Sequence, residues 1–355
     1  MAPVLELRNL TTYFRTRRGS VKAVNGVSFS LDAGQRMGLI GESGSGKSTI
    51  ALSIMRLIRP PGEIVAGEVL LDGVNLFDLD DDSMRRVRLS EIALVSQGAM
   101  NSLNPVIRVR EQMEDGFRNH EHSLSREARD ARIRELLERV GLPREVADMY
   151  PHQLSGGMKQ RVCIAIAISL SPKVIIADEP TSALDVVVQR RVMQTLRRVQ
   201  EELGSAVILI GHDMGLMAQF ADKVGVMYAG ELMEEAAVSR LFNRPAHPYS
   251  QILMESLPSL DTKEMFRGVG GAPPSLLSPP PGCVFHPRCP FVMERCRVEK
   301  PLLQVVDAPA GNGDTPARAT EMQRAACHLL DEGETADSLA HRHAANNDAN
   351  REATI

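Results

Sequence analysis

The first 240 residues alternate short apolar runs with segments in which apolar residues recur at helical spacing. Residues 174–177 and 206–210 are apolar without interruption, which is typical of parallel strands covered by helices on both faces. Strands that alternate with helices predict an α/β layered core. Further strands are predicted at residues 4–10, 27–31 and 36–40. A helix is predicted over residues 126–140, with one apolar face formed by Ile133, Leu136, Leu137 and Val140.

Beyond residue 240 the composition of the chain changes. Of the 21 prolines, 13 lie in the last 115 residues, and nine of these fall between Pro273 and Pro309. Because proline lacks a backbone donor, we expect a loop-rich appendage here rather than part of a sheet core. The polar segment 331–355 is predicted to be a disordered tail. The predicted domains are therefore residues 1–240, residues 241–330 and the tail.

Composition and charge narrow the classes of protein. With 43% hydrophobic and 24% charged residues, the chain has enough apolar material for a core. A formal net charge of −4 argues against a broadly basic nucleic-acid binder. We find no apolar run near the ~18 residues of a spanning helix, and no signal peptide. The protein is therefore expected in the cytosol, where cysteines remain reduced or bind metal.

Residues 41–49 carry the pattern G-x-x-x-x-G-K-[ST] between the predicted strand 36–40 and a helical pattern at 50–58. In such a loop the backbone N–H groups surround a phosphate, and the helix N-terminus adds partial positive charge. Lys47 is predicted to reach the β- and γ-phosphates, and Ser48 to bind Mg²⁺. The predicted nucleotide-binding residues of the loop are Gly41, Ser43, Gly44, Ser45, Gly46, Lys47, Ser48 and Thr49.

Two carboxylates, Asp178 and Glu179, follow the apolar run 174–177. A strand that ends beside a phosphate loop can present Asp178 to Mg²⁺. Glu179 would then lie near the γ-phosphate, where it can orient or deprotonate the attacking water. Alone, the pair would be better explained as solvated acids after a strand. The nearby phosphate-loop pattern is what favours the functional interpretation.

Residues 154–161, L-S-G-G-M-K-Q-R, resemble the LSGGQ signature of ATP-binding cassette (ABC) ATPases. The family's other motifs stand in the family's order, with Gln97 as the Q-loop, residues 182–185 as the D-loop and His212 as the switch histidine. Phe14 stands where the family stacks an aromatic ring on adenine, beside Tyr13. The resemblance covers residues 4–240. It implies an α/β fold of the ABC-type P-loop nucleotide-binding class, with a RecA-like core, a helical subdomain and a small Pro/Cys-rich C-terminal extension.

The resemblance also implies roles for single residues. Those for catalysis are Lys47, Gln97, Glu179 and His212, and those for Mg²⁺ are Ser48, Gln97 and Asp178. The signature residues Ser155, Gly156 and Gly157 form a second anion nest, which in the family caps the γ-phosphate bound to an opposing subunit. One phosphate loop and one signature therefore imply an ATP-bound dimer, either with a second copy or with a related ABC ATPase.

The C-terminal part resembles the extension of ATPases that serve oligopeptide, dipeptide and nickel importers. The matching segments are 102–105, 150–153, 244–250, 280–283 and 286–290, the last reading H-P-R-C-P. This implies an ATPase at the cytoplasmic face of the cell membrane that powers the uptake of peptides or similar small solutes. Its implied partners are two integral-membrane permease subunits, close to residues 97–117, and an extracytoplasmic solute-binding protein.

Four cysteines of this part have the spacing C-x₅-C-x₆-C-x₃₀-C: Cys283, Cys289, Cys296 and Cys327. In a cytosolic segment they favour a metal site over disulfides, and their spacing leaves iron–sulfur, zinc and unligated thiols open. The resemblance implies a [4Fe–4S] cluster on these four residues, with zinc as the alternative.

The rival interpretation is a soluble ABC ATPase that acts on nucleic acid, ribosomes or iron–sulfur cluster assembly. Such proteins usually have paired cassettes, coiled-coil inserts or a basic surface, and the sequence shows none of these. An importer ATPase is therefore the expected function.

Overall fold

The computed structural model describes residues 2–98, 102–120, 124–256, 270–306, 322–334 and 338. Its strands are β1 (Leu5–Thr16), β2 (Gly19–Leu31), β3 (Arg36–Ile40), β4 (Gly62–Leu71), β5 (Val74–Asn75), β6 (Ile92–Val95), β7 (Val174–Asp178), β8 (Ala206–Ile210), β9 (Lys223–Tyr228), β10 (Glu231–Ala237), β11 (Gln304–Val305) and β12 (Arg324–Ala325). Its α-helices are α1 (Lys47–Ile54), α2 (Asp81–Ser90), α3 (Val109–His120), α4 (Arg126–Arg139), α5 (Gly156–Ala167), α6 (Val186–Leu203), α7 (Met214–Phe220), α8 (Val238–Asn243), α9 (Pro248–Glu255) and α10 (Glu294–Val298).

The main sheet has the strand order β11-β12-β10-β9-β3-β8-β7-β6. Strands β6, β7, β8, β3 and β9 are parallel, whereas β10 and the short strands beyond it are antiparallel. On β8, Ile208 packs in one hydrophobic cluster while Val207 and Leu209 pack in another, on the opposite face. Because both faces are buried, the strand reads as an unbroken apolar run, and the predicted parallel core is confirmed.

A second, antiparallel sheet has the order β2-β1-β4-β5. It shares a core with α1 and one face of the main sheet, where Leu5, Val27, Ile50 and Ile208 pack in one cluster. The phosphate-loop pattern follows β3 directly and runs into the first turn of α1. This layer therefore supports the loop from the side opposite the helices α6 and α7.

Helices α3, α4 and α5 form the helical part of the chain and pack in the other cluster. The predicted apolar face of α4 is buried, at Ile133, Leu136 and Leu137. Ser125 accepts a hydrogen bond from the backbone N–H of Ala128 and so caps the first turn of α4. The predicted helix at 126–140 is confirmed, and its last predicted residue, Val140, is the C-terminal cap.

The chain after residue 240 differs from the expected appendage in one respect. Strand β12 pairs with β10 of the main sheet, with Glu234 opposite Ala325 and Glu235 opposite Arg324. Strands β11 and β12 are only two residues long and contain no proline, so they extend the sheet at its edge, although β11 lies within the proline-rich stretch. The predicted tail lies almost wholly outside the described residues, although Asp331 and Glu332 end a short 3₁₀ helix. Within the described ranges, every helix is too short or too polar to span a membrane.

Candidate nucleotide site

The loop between β3 and α1 is pressed against neighbouring backbone at two glycines. A Cβ atom on Gly41 would lie 2.0 Å from the carbonyl oxygen of Met227, and one on Gly46 would lie 2.1 Å from that of Ala23. Both residues have positive φ angles, of 143° and 101°. Only glycine combines these backbone angles with so close an approach, which explains the two outer glycines of the motif.

Lys47, the first residue of α1, is folded back into the loop. Its Nζ donates to the carbonyl oxygens of Gly41 at 2.8 Å and Glu42 at 2.9 Å, and to Ser45 Oγ at 3.1 Å. Burial lowers the pKa of Lys47, although the nearby carboxylates of Glu179 and Asp178 act in the opposite direction. The ammonium group therefore lies where the loop would hold an anion.

Ser48 and Asp178 meet beside the loop, since the Ser48 hydroxyl donates to Asp178 Oδ1 at 3.1 Å. Asp178 ends strand β7, and burial raises its pKa against the effect of this hydrogen bond. Hydroxyl and carboxylate oxygens are the hard ligands that Mg²⁺ prefers. The two residues fit the predicted Mg²⁺ site beside a nucleotide phosphate.

Glu179 is the meeting point of three separate segments. Gln97 Nε2 donates to Glu179 Oε2 at 2.7 Å, and His212 Nδ1 lies 3.8 Å from Glu179 Oε1. The backbone N–H of Glu179 donates to the carbonyl of Ile210 at 2.9 Å, which fixes it against β8. Its φ angle of 46° is unusual for a residue other than glycine. The structure thus brings together Gln97, Glu179 and His212, which lie far apart in the sequence.

The signature residues open helix α5. Ser155 Oγ accepts from the N–H of Met158 and caps this helix. Gly157 is packed so closely on the next helix that a Cβ would lie 2.4 Å from a methyl group of Val188 in α6. Residues 182–185, the predicted D-loop, lead directly into α6, whose first turn is capped by Asp185. The signature segment and the predicted D-loop segment therefore lie at the N-terminal ends of two helices, α5 and α6, that contact each other.

The aromatic candidates for adenine stacking lie on β1. Phe14 is half-buried and paired across the sheet with Val21 and Gly62. The hydroxyl of the neighbouring Tyr13 donates to Asn25 at 2.8 Å, so its polar end is already engaged within the protein.

Comparisons with known proteins agree with this geometry. Residues 24–182 match the family model "ABC transporter", and residues 233–296 match "Oligopeptide/dipeptide transporter, C-terminal region". A Brucella abortus protein, provisionally named a peptide import ATP-binding protein, is 44% identical over 312 residues, which cover 87% of this chain and 94% of that protein. This chain belongs to the ABC transporter ATP-binding proteins. A similarly named Brucella melitensis protein is 42% identical over 325 residues, covering 87% of this chain and 96% of that one.

Solved structures of ABC cassettes show the same fold. A dimeric ATP-binding cassette in a post-hydrolysis state with ADP and phosphate superimposes with a TM-score of 0.60 and 32% identity, over 66% of this chain and 98% of that one. The cbiO1 cassette of Clostridium perfringens, part of an ABC transporter complex, gives a TM-score of 0.59 and 27% identity, over 68% and 91% of the two chains. The predicted ABC-type fold and the predicted ATPase class are confirmed.

The predicted [4Fe–4S] cluster is wrong. Cys283, Cys289, Cys296 and Cys327 line one small cavity together with Phe285 and other side chains. In the part of the chain that the structure describes, however, no group of three or more His, Cys, Asp or Glu residues is arranged to hold a metal ion, so zinc has no support either. Burial raises the pKa of Cys283 to about 11 and that of Cys289 to about 12, which favours the neutral thiol. The described surroundings of these cysteines are thus those of neutral thiols packed around a small apolar cavity.

One set of residues at the phosphate loop was missed at the level of sequence. Glu42, inside the loop, contacts Tyr249 and Arg288, which lie more than 200 positions further along the chain. Arg288 stands in the H-P-R-C-P segment, but its cysteine and the resemblance drew the interpretation to metal binding. The pattern carried no signal for a contact with the loop.

Proposed function

We propose that this ABC ATP-binding protein hydrolyses MgATP to power the import of peptides or similar small solutes. The observation that carries the proposal is the convergence of Lys47, Asp178, Glu179 and Gln97 at the edge of the main sheet. Membership of the family and the match of the C-terminal region support it. We assign residues 1–240 to the nucleotide-binding part, 241–330 to the importer-type extension and 331–355 to a tail.

Each site residue has a role that follows from its position. Backbone N–H groups of the loop from Gly41 to Thr49, together with the Lys47 ammonium, hold the β- and γ-phosphates. Ser48, Asp178 and Gln97 would hold Mg²⁺, which when bound neutralises charge on the phosphates. Glu179 accepts the proton of the attacking water or orients it, and Gln97 and His212 hold the Glu179 carboxylate from two sides. Phe14 supports the adenine ring.

A second ABC ATPase completes the site. Ser155 caps the N-terminus of α5, where the backbone N–H groups of the first turn carry partial positive charge. We propose that Ser155, Gly156 and Gly157 bind the γ-phosphate held by a partner subunit, which is an identical copy or a related ATPase. The superimposed cassette with ADP and phosphate is itself a dimer, which supports this arrangement.

The partners on the membrane side are two permease subunits. A cavity lies between β6, α3 and α5, lined by residues that include Ser102, Ile107, Gln112, Arg118 and Ile166. It adjoins the segment that carries Gln97, so a permease segment seated there would be coupled to the Glu179 site. We therefore place the protein peripherally at the cytoplasmic face of the membrane. An extracytoplasmic solute-binding protein delivers the solute.

The test is Glu179→Gln in protein co-expressed with its two permeases. Because the amide keeps the shape of the side chain but accepts no proton, we expect ATP to remain bound while turnover falls at least about 100-fold. Retention of nucleotide is measured by chromatography of the extracted ATP, and turnover by phosphate release. Glu202→Gln, which changes an exposed glutamate of α6, is the matched control.

Near-normal turnover of Glu179→Gln would remove this residue from the proposed role. Co-purification of the chain with integral-membrane subunits supports the importer. Turnover that nucleic acid stimulates, without such subunits, would instead support the rival function.

A further inference from the structure

The C-terminal extension reaches into the phosphate loop through Arg288. Its guanidinium forms a two-pronged ion pair with Glu42, with Nη1 at 2.8 Å from Oε2 and Nη2 at 2.9 Å from Oε1. The Arg288 side chain is only 7% exposed and that of Glu42 is 23% exposed. Such forked pairing fixes both the distance and the orientation of the carboxylate, which a single contact does not.

Arg288 is itself held by one contact within the extension and one with strand β9 of the main sheet. Its Nε donates to the carbonyl of Gly270 at 2.7 Å, and Nη1 donates to the hydroxyl of Tyr228 at 3.0 Å. Phe285, three positions earlier, packs edge-on against Tyr228 with ring centroids 5.2 Å apart. These contacts fix the direction of the Arg288 guanidinium. If Glu42 moved, Arg288 could follow it only by losing its contacts with Gly270 and Tyr228.

The same loop residue is also bonded through its main chain. The N–H of Glu42 donates to the hydroxyl of Tyr249 at 3.1 Å, and Tyr249 is fully buried in α9. The carbonyl of Glu42 accepts from Lys47 Nζ at 2.9 Å. Side chain, N–H and carbonyl of Glu42 are thus all engaged, two of them by the extension and one by the phosphate-binding lysine.

We propose that Arg288 is a positioning residue of the nucleotide site, through which the extension fixes Glu42 and hence the loop that holds Lys47. This inference rests on the proposed function, because it concerns the same ATP site. Arg288 acts through Glu42, its partner in the loop, rather than on the phosphates. The extension is therefore part of the ATP-binding apparatus and not only an attachment to it.

The main test is the double variant Glu42→Gln/Arg288→Gln. It removes the ion pair without leaving one partner unpaired and without changing the net charge near the nucleotide. We expect the dissociation constant for ATP to rise about tenfold or more, since loss of orientation at a binding group is costly. Arg295→Gln is the control, because Arg295 is also an arginine of the extension, in an exposed ion pair with Glu299. It should stay within twofold of wild type.

Affinity is measured by equilibrium titration with a fluorescent ATP analogue, and folding by thermal unfolding. A folded double variant that binds ATP within twofold of wild type would overturn the proposal, leaving Arg288 a purely structural residue. If the double variant does not fold, Arg288→Lys decides. It keeps a cation but cannot form the fork, so a weaker affinity supports the proposal and an unchanged one overturns it. Failure of the wild-type protein to bind ATP would contradict the proposed function instead.

Discussion

Replacing Gly46 with alanine tests how closely the phosphate loop is packed on strand β2. Gly46 caps the start of α1 with a φ of 101°, and the added Cβ would meet the carbonyl oxygen of Ala23 at 2.1 Å. Real Cβ contacts essentially never fall below 3.0 Å. Because Ala23 is buried within a paired strand, the loop rather than the strand must move, by about 0.9 Å.

The size of the effect has two parts. The positive φ angle alone costs an alanine roughly 1–2 kcal/mol of stability. The displacement of the loop adds a loss of binding geometry, and misplacing a binding group by ~1 Å can cost about 100-fold in rate. That factor corresponds to ~2.7 kcal/mol of lost transition-state stabilisation. We therefore expect the catalytic efficiency of ATP hydrolysis, kcat/KM, to fall about 100-fold.

Gly73→Ala is the matched control for backbone strain without the clash. Gly73 has a φ of 81° in the turn between β4 and β5, and a Cβ there meets nothing within 4 Å. Urea unfolding should show a loss of roughly 1–2 kcal/mol for Gly73→Ala and at least as large a loss for Gly46→Ala, whose Cβ also clashes with Ala23. Phosphate-release assays should show a defect in Gly46→Ala alone. If Gly46→Ala retains wild-type kcat/KM while Gly73→Ala shows its expected strain, the close packing of the loop is not required and the reasoning fails.

Two further predictions concern single side chains. Burial lowers the pKa of His247 to about 3, so the unfolded chain, with a histidine pKa of ~6.5, binds the proton more readily. The free energy of unfolding should therefore be at its full value above pH ~6.5 and fall by ~1.4 kcal/mol per pH unit below it. Between pH 7 and pH 5, urea unfolding should show a loss of free energy about 2 kcal/mol larger for wild type than for His247→Gln. Equal losses would contradict this. Lys47→Ala should weaken ATP binding at least about tenfold, because it removes a positive charge from the proposed phosphate site. Lys173→Ala, which removes a half-exposed ion pair with Asp72, should leave ATP binding unchanged. Unchanged affinity of Lys47→Ala would count against the loop assignment.

The parallel core could be predicted because its chemistry is local. A strand covered on both faces needs apolar residues at every position, so 174–177 and 206–210 mark β7 and β8 directly. The phosphate loop could be predicted equally well, since the backbone at Gly41 and Gly46 has a positive φ angle and leaves no space for a Cβ atom, which only glycine allows. The antiparallel sheet was less visible. Strand β4 mixes Glu63, Glu68 and glycines with apolar residues, and its partner β1 lies some 50 positions earlier.

The contacts of the extension could not be predicted, because they depend on tertiary distance alone. The pair Glu42–Arg288 joins positions separated by 246 residues, and neither residue is unusual in its local sequence. For the four cysteines, spacing left iron–sulfur, zinc and unligated thiols open, and the structure places all four around one cavity. The spacing carries no information about the apolar burial that raises the pKa of Cys283 and Cys289.

The contact of Gly157 with Val188 has a mechanical consequence. A methyl group on one helix fills the space that a side chain on the other would need, so α5 cannot rotate against α6 without a collision. Helix α6 begins at Val186, only a few residues after Glu179. A displacement of the N-terminal end of α5 is therefore passed to the N-terminal end of α6, and so to the short segment that joins α6 to Glu179.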